Sequence, residues 1–419
     1  MFVRNIKSIT TIGRDDPTSA EYQKSLRLLH VLQGQKGLFE ENPWIQHIWN
    51  SSSNASWPSA SPSTPSSTPT IRSLEFGRPI NDSQLEAIQS MLSTSDKTRI
   101  TLIQGPPGTG KTSVIATFVQ SAIKNGQTGL WLVAQSNVAV KNIAEKLLDY
   151  GFSKFKLLVS SDFHDDWHEH LYAKIPHNVV RSAEFGSKKA KPQQSCQVIL
   201  CTLSMLSNPR ILSCGFTTVV PIRTLVVDEA SQIEIGNYIP ALTTFASTLQ
   251  KLCFIGDDKQ LPPYGQEELQ DLQSIFEVPH LRQTALLLNV QYRMPPQLGE
   301  FISDAVYDGQ LQSNPLHPIT AKITACHFLD LPDSLERSSN TSWINASECE
   351  AIMFLAEYLQ SKNSNFRIIT PYEAQRALLQ ESLKENGLNW EDKCFNVDSF
   401  QGFDPSLTSS SSSVTDAFS

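Results

Sequence analysis

Gly105-Pro-Pro-Gly-Thr-Gly-Lys-Thr112 follows the apolar run Ile100-Thr-Leu-Ile103 and opens a stretch in which Val114, Ile115, Phe118, Val119, Ala122 and Ile123 recur at helical spacing. Asn125-Gly126 then supplies a stop signal. Strand, glycine-rich turn and helix in that order match the phosphate-binding pattern G-x4-G-K-[ST]. Gly105, Gly108 and Gly110 let backbone N–H groups close on phosphate oxygens, and the helix N-terminus adds positive potential. Pro106, Pro107 and Thr109 complete the loop. Lys111 is expected to reach the β- and γ-phosphates, and Thr112 to ligate Mg²⁺. ATP and Mg²⁺ are therefore the expected cofactors. The competing reading, an incidental glycine-rich turn, explains neither the strand before nor the helix after.

Further short apolar runs lie downstream: Leu130-Trp-Leu-Val133, Val198-Ile-Leu-Cys201, Thr224-Leu-Val-Val227 and Leu252-Cys-Phe-Ile255. Short, mainly apolar runs with helical segments between them predict an open parallel α/β sheet with both faces covered. The run at 224 ends in Asp228-Glu229. Asp228 is expected to hold Mg²⁺, and Glu229 to orient and deprotonate the attacking water. Lys111, Thr112, Asp228 and Glu229 must then converge on one metal-bound triphosphate, with Gly110 and Asp228 close enough to share a magnesium. A P-loop of this form also suits AAA+ ATPases, so the sheet alone does not name a family.

The discriminating motifs follow in order: Asp228-Glu-Ala-Ser-Gln232, Gly256-Asp-Asp-Lys-Gln-Leu-Pro-Pro263 and Val290-Gln-Tyr-Arg-Met294. This series resembles the superfamily 1 helicases, in the branch of the nonsense-mediated-decay helicase and senataxin, from about Phe76 to Asp404. The resemblance implies an α/β P-loop NTPase with two RecA-like parallel-sheet domains, the second incomplete. It further implies an ATP hydrolase that moves 5′→3′ on single-stranded RNA or DNA. Gln84, with Asn81, is similar to the family's adenine-reading motif, where an amide can donate to and accept from one base edge. Gln260 is similar to the γ-phosphate sensor, Arg293 to a second contact on that phosphate, and Tyr292 to the aromatic beside the base. Ser136 and Asn137, Thr202, Pro262, Thr370 with Pro371, and Ser399 fall where the family grips the strand backbone. Short polar side chains suit such contacts without reading sequence. Asp404 stands where the family carries a ribose-touching Glu, one methylene longer. Ordinary cap and turn duties are the competing reading for these polar positions, and a buried salt bridge for Arg293.

The predicted layout has a partly helical segment at 1–49, a Ser/Pro/Thr-rich linker at 50–73 and a first domain at 74–285 with an insertion at about 151–195. A partial second domain at 286–404 and a Ser-rich tail at 405–419 complete it. Net charge of −8 excludes a chain that is basic all over, though not a local basic groove. Seven cysteines without CxxC spacing predict buried reduced thiols. No apolar run is long enough to span a bilayer, so the expectation is a soluble intracellular protein, nuclear or cytoplasmic, with no membrane partner; the sequence leaves the oligomeric state open, with a monomer as the first expectation. Protein cofactors of RNA processing or decay fit the resemblance as further partners.

No arginine follows Arg376. The family's last motif supplies one, worth roughly 10³–10⁵ in rate, or on the order of 4–7 kcal/mol of barrier. A truncated product that hydrolyses ATP slowly and unwinds poorly is therefore expected. Two rivals stand beside the helicase: an ATP-gated nucleic-acid-binding module without unwinding activity, and a P-loop ATPase acting on proteins. His164, His168 and His170 lack HExxH spacing and read as part of a charged surface element. Lys188-Lys-Ala-Lys191 reads as a solvated loop.

Overall fold

A computed structural model describes residues 19–33, 39–51, 56–57, 79–160, 174–187, 195–266, 269, 271–319, 327–339 and 342–397. The chain divides into two compact units. The first comprises Met1–Met294 and Gly299–Asn314, the second Pro295–Leu298 and Pro315–Ser419.

The first unit is built on β1 (Ile100–Gln104), β2 (Leu130–Ala134), β3 (Phe155–Val159), β4 (Val179–Arg181), β5 (Val198–Thr202), β6 (Thr224–Asp228), β7 (Lys251–Gly256) and β8 (Leu286–Leu287). They form one sheet in the order β4-β3-β5-β2-β6-β7-β1-β8, with every pairing parallel. The five apolar runs predicted as strands are β1, β2, β5, β6 and β7. The stretch read as an insertion supplies β3 and β4 at one edge.

Alternation along the strands sorts side chains onto two faces. Leu130, Leu132, Val198, Leu200, Val226, Cys253 and Ile255 pack with α3 (Asp82–Leu92), α4 (Lys111–Lys124) and α5 (Asn137–Asp149). Trp131, Val133, Ile199, Cys201, Leu225, Val227 and Phe254 face the opposite core.

That opposite core also takes Trp44, Ile45 and Ile48 from α2 (Pro43–Trp49). A domain start at residue 74 leaves these side chains out, yet Trp44 and Ile48 are fully buried. Asn42 sets the helix: its Oδ1 accepts from the amides of Trp44 and Ile45 at 3.1 and 3.3 Å, and Pro43 occupies the first turn, where no N–H is needed. Its Nδ2 donates to the Leu242 carbonyl at 3.0 Å, tying the helix to α6 (Ile239–Thr244). Upstream, α1 (Ser19–Leu32) is held by a Lys24–Glu234 ion pair of 2.5 Å.

At the far end of α3, the Lys251 ammonium donates to the carbonyls of Ser90 and Ser93 at 2.6 and 3.2 Å, and to that of Thr98. A buried cation thus satisfies the end of α3, whose other end meets the phosphate loop.

In the second unit, β13 (Ile368–Thr370) and β14 (Cys394–Asn396) pair in parallel, and β11 (Glu336–Ser339) and β12 (Ser342–Asn345) pair antiparallel. The intervening numbers belong to β9 (Val290–Gln291) and β10 (Gln312–Ser313), a short parallel pair of the first unit. The helices of the second unit are α8 (Ala346–Ser361) and α9 (Glu373–Glu385), and α7 (Pro296–Val306) precedes them in the chain. Cys349, Ala356, Leu379, Leu383 and Cys394 form its core. The cap of α8 is Asn345, whose Oδ1 accepts the Glu348 amide at 3.1 Å. Gln375 fixes Asn345 in turn, accepting its N–H at 2.8 Å and donating to its carbonyl at 3.0 Å.

Among the described residues, five cysteines are buried and Cys214 is partly so, all as free thiols. No described helix is long and apolar enough to cross a membrane.

Trp44→Ala should lower stability by about 3–5 kcal/mol, because a large buried side chain is lost and the cavity collapses only in part. Denaturant unfolding of the full chain checks this; an unchanged midpoint would show that α2 contributes nothing to the core.

Candidate active site

A parallel ladder brings every strand's carboxyl end to one edge, where open α/β sheets bind ligands. Gln104 stands opposite Gly256, and Ala134 opposite both Thr202 and Asp228. Along this edge the order is Thr202 on β5, Ser136 just past β2, Asp228 on β6, Asp257 and Gln260 past β7, and the phosphate loop past β1.

The loop begins where the Gly105 amide donates to the Gly256 carbonyl at 2.8 Å. Gly108 and Gly110 adopt φ of +75° and +83°. Both torsions strain a side chain, and space forbids one as well. A methyl at Gly108 would fall 2.5 Å from Arg293 Cβ, and one at Gly110 2.9 Å from Gln84 Nε2. Thr109, fully buried, closes the turn by donating its hydroxyl to the Pro106 carbonyl at 2.7 Å. Gly110 is the N-cap of α4, so Lys111 and Thr112 occupy its first turn, where amides lack intrahelical partners.

β7 lies between β1 and β6, so the phosphate loop and the Asp228-Glu229 pair leave strands that are not neighbours. One intervening strand separates them by about 10 Å at the usual spacing. The Lys111 side chain crosses that gap. Its ammonium donates to the Gly105 carbonyl at 2.9 Å and lies 3.9 Å from Glu229 Oε1.

Asp228 is 5% exposed, and its Oδ1 accepts the Glu229 amide at 3.0 Å. Burial pushes its carboxyl well above the usual carboxylate range and the Glu229 carboxylate adds to the rise, while Lys111 and the Glu229 amide pull it back. Glu229 itself has a left-handed backbone, φ +50°, at a cost of about 1–3 kcal/mol for a non-glycine residue.

Gln84 forms a capping box with Asn81 at the start of α3: its Oε1 accepts the Asn81 amide at 3.2 Å, and Asn81 Oδ1 accepts the Gln84 amide at 2.9 Å. Its Nε2 donates to the Thr109 carbonyl at 2.8 Å. The Nε2 end therefore ties the phosphate loop to α3, while the Oε1 end closes the start of α3 itself. Asn81 Nδ2 donates to the Tyr292 hydroxyl at 2.9 Å, and the Tyr292 amide to the Gly108 carbonyl at 2.9 Å. Gln84, Tyr292 and Arg293 thus all border the phosphate loop. Gln260 Nε2 donates to Asp257 Oδ2 at 2.7 Å.

Two of the strand-contact candidates of the first unit perform local capping duties. Ser136 caps α5 through the Ala139 amide at 3.1 Å, and Thr202 accepts from the Met205 amide at 3.1 Å. Asn137 starts α5, and Pro262 is exposed. In the second unit Thr370 ends β13 and Pro371 is exposed. Ser399, Asp404, His164, His168, His170 and Lys188 lie outside the described residues.

Three contacting residues, Gln291, Asp257 and Tyr307, receive no role from the sequence, although the first two lie inside quoted motifs. Buried Gln291 accepts the amides of Arg293 and Met294 at 2.9 and 2.7 Å, fixing the loop beside Gly108. Asp257 and Tyr307 meet behind Gln260. Gln291 and Asp257 sit in those motifs beside residues with named roles, and their own duties leave no periodic signal. Tyr307 is 50 residues from Asp257, beyond any local pattern.

A family profile described as "AAA domain" matches residues 79–170 and 179–266, and a second of the same description matches 269–411. "Regulator of nonsense transcripts 1 homolog" from Arabidopsis thaliana is 29% identical over 385 residues, covering 78% of this chain and 30% of that protein. "ATP-dependent helicase NAM7" from Saccharomyces cerevisiae is 28% identical over 375 residues, covering 77% of this chain and 37% of the relative. The chain belongs to the superfamily 1 helicases. This superfamily 1 chain spans about a third of the length of the curated relatives it matches. A solved structure titled "The structure of PRRSV helicase" aligns at TM-score 0.38 and 15% identity, over 80% of this chain and 48% of that one.

Gly108→Ala should weaken ATP binding at least about tenfold, because the new methyl meets Arg293 and the left-handed torsion is strained. Titration with a fluorescent ATP analogue checks this; unchanged affinity would mean the loop is not the phosphate cradle.

Proposed function

We propose that the chain is the ATP-hydrolysing core of a helicase or translocase acting on single-stranded nucleic acid. The observation that carries this reading is the approach of Lys111 to Glu229, 3.9 Å across an intervening strand, on the same sheet edge that bears Ser136 and Thr202. One edge then serves two ligands, a triphosphate over β1, β7 and β6 and a strand over β2 and β5.

In this reading the loop amides and Lys111 bind the phosphates. Glu229 accepts a proton from the water that attacks the γ-phosphorus, as the bond from that phosphorus to the bridging oxygen breaks and ADP leaves. The left-handed Glu229 backbone sends the chain from β6 into the turn Ala230–Gln232. Gln260 and Arg293 would respond to the γ-phosphate. Gln84 would touch adenine only by exchanging one of its present partners, and its role as a strut under Thr109 comes first.

Thr112 and Asp228 would hold Mg²⁺. The donor set fits: a buried carboxylate with a raised pKa gains from a cation, and Mg²⁺ commonly takes one or two carboxylates plus phosphate oxygens rather than a protein cage. Among the described residues no group of three or more His, Cys, Asp or Glu side chains offers such a cage. When bound, the ion would neutralise charge on the phosphate oxygens.

The names of several relatives, regulators of nonsense transcripts, make RNA the first track to test and DNA the second. Movement would come from two nucleotide states that grip the strand differently. Protein partners from RNA processing or decay belong to the same proposal.

Glu229→Gln should leave ATP affinity within about threefold of the parent and lower turnover by about 10²–10⁴-fold. Steady-state hydrolysis with and without poly-U or single-stranded DNA checks it. Turnover that survives the substitution, or that neither polymer stimulates, would overturn the assignment.

A further inference from the structure

Asp257 is the most enclosed carboxylate beside the proposed site, at 0% exposure. Its amide donates to Ser231 Oγ at 3.2 Å, two residues past Glu229. Its Oδ1 accepts the Lys259 amide at 3.2 Å. Its Oδ2 receives two donors at once, the Tyr307 hydroxyl at 2.6 Å and Gln260 Nε2 at 2.7 Å. Tyr307, Gln260 and Asp257 thus form a triangle of side chains that meets at Oδ2. All five residues belong to the first unit.

Tyr307 directly follows α7 and is 6% exposed. Its surroundings are fixed: its amide donates to the Ser303 carbonyl at 2.9 Å, and Ser303 Oγ accepts the Leu311 amide at 3.1 Å. Burial and the neighbouring Asp257 push its hydroxyl pKa up, so it remains a donor throughout the working pH range.

The chemistry of the triangle is asymmetric. An ionised carboxylate only accepts, so the end of the Gln260 amide facing Asp257 must be the NH₂. That same NH₂ is the group a γ-phosphate oxygen would attract. For Gln260 to turn to a phosphate, Asp257 must give up a donor while buried. A buried carboxylate left short of donors is costly. The Tyr307 hydroxyl meets that need, because it stays on Oδ2 when Gln260 leaves.

We propose that Tyr307 is a positioning residue for Gln260: by holding Asp257 Oδ2 it frees the Gln260 amide to exchange between Asp257 and the terminal phosphate of the nucleotide. The proposal rests on the reading of Gln260 as the γ-phosphate sensor and extends it to a residue 47 positions away. Removing the hydroxyl locks Gln260 onto Asp257, so the nucleotide with a γ-phosphate loses its advantage over the one without.

The test measures binding of fluorescent ATPγS and ADP, with Mg²⁺, to the full chain and to Tyr307→Phe, Gln260→Ala and the double variant, with a thermal melt of each. Gln260→Ala should lower the ATPγS:ADP affinity ratio about tenfold. Tyr307→Phe, which keeps the ring, should lower it about fivefold, and the double variant should fall no further than Gln260→Ala alone. If Tyr307→Phe does not fold, Asp257→Asn tests the same link: a neutral amide has less need of donors than a buried carboxylate, so the ratio should not fall below that of the parent, and a fall would overturn the relay. A ratio unmoved in Tyr307→Phe, whatever the melt shows, while Gln260→Ala lowers it, overturns the relay and leaves the sensor standing. Additive losses in the double variant likewise place Tyr307 outside the relay. A ratio unmoved by Gln260→Ala removes the sensor reading and the relay with it, as does a parent chain that binds neither nucleotide.

Discussion

The parallel register of the first sheet governs everything built upon it. Each strand runs through the core in the same direction and releases its next residue at the same edge, so residues remote in sequence meet without long connections. Gly105 bonded to Gly256, and Ala134 opposite Thr202 and Asp228, are instances of that one constraint. An antiparallel partner anywhere in the middle of the sheet would deliver one of these groups to the opposite rim. The uniform burial of β2, β5 and β6 is the condition for the register, because strands covered on both faces by α3–α5 and by α2 with α6 have no solvent side toward which to slip.

The contacts around the phosphate loop form a second level. Gln84 supports the loop from α3, and Tyr292 and Arg293 press on Gly108 from the other side. Lys251 satisfies the far end of α3. The loop is therefore clamped between α3 and the segment after β9, and its two left-handed glycines are where the clamp leaves no room for a side chain. A tight loop of this kind orders its amides before any ligand arrives, which is how a phosphate site gains affinity from geometry rather than from added charge.

Much of this was legible in the chain. The five central strands, the phosphate loop and the Asp228-Glu229 pair each carry a local signal: an apolar run, glycines at set spacing, acids at a strand end. The resemblance supplied candidates such as Gln260 and Tyr292. What escaped were pairings across long separations. Trp44, Ile45 and Ile48 have helical spacing, and Asn42-Pro43 is a start signal, but seven residues are too few to reveal which core they enter. Gln84 was read for its chemistry toward a base, whereas its partners are an amide and a carbonyl nearby. Tyr307 offered nothing to a motif search, since its importance lies in an oxygen of Asp257.

The strand that separates β1 from β6 imposes a unit of length on the cleft. The gap between cradle and acid is counted in whole strands of about 4.8 Å each, and no change of side chain on β7 can adjust it continuously. Gly256 already sits so close to Ser231 and Phe276 that a methyl would fall 2.8 Å from the Ser231 amide and 3.0 Å from the Phe276 ring. What remains adjustable is reach. A flexible four-carbon stem from the first turn of α4 spans one strand and brings its charge beside Glu229. A shorter cation at the same station would leave the two halves electrically separate, however well each was folded.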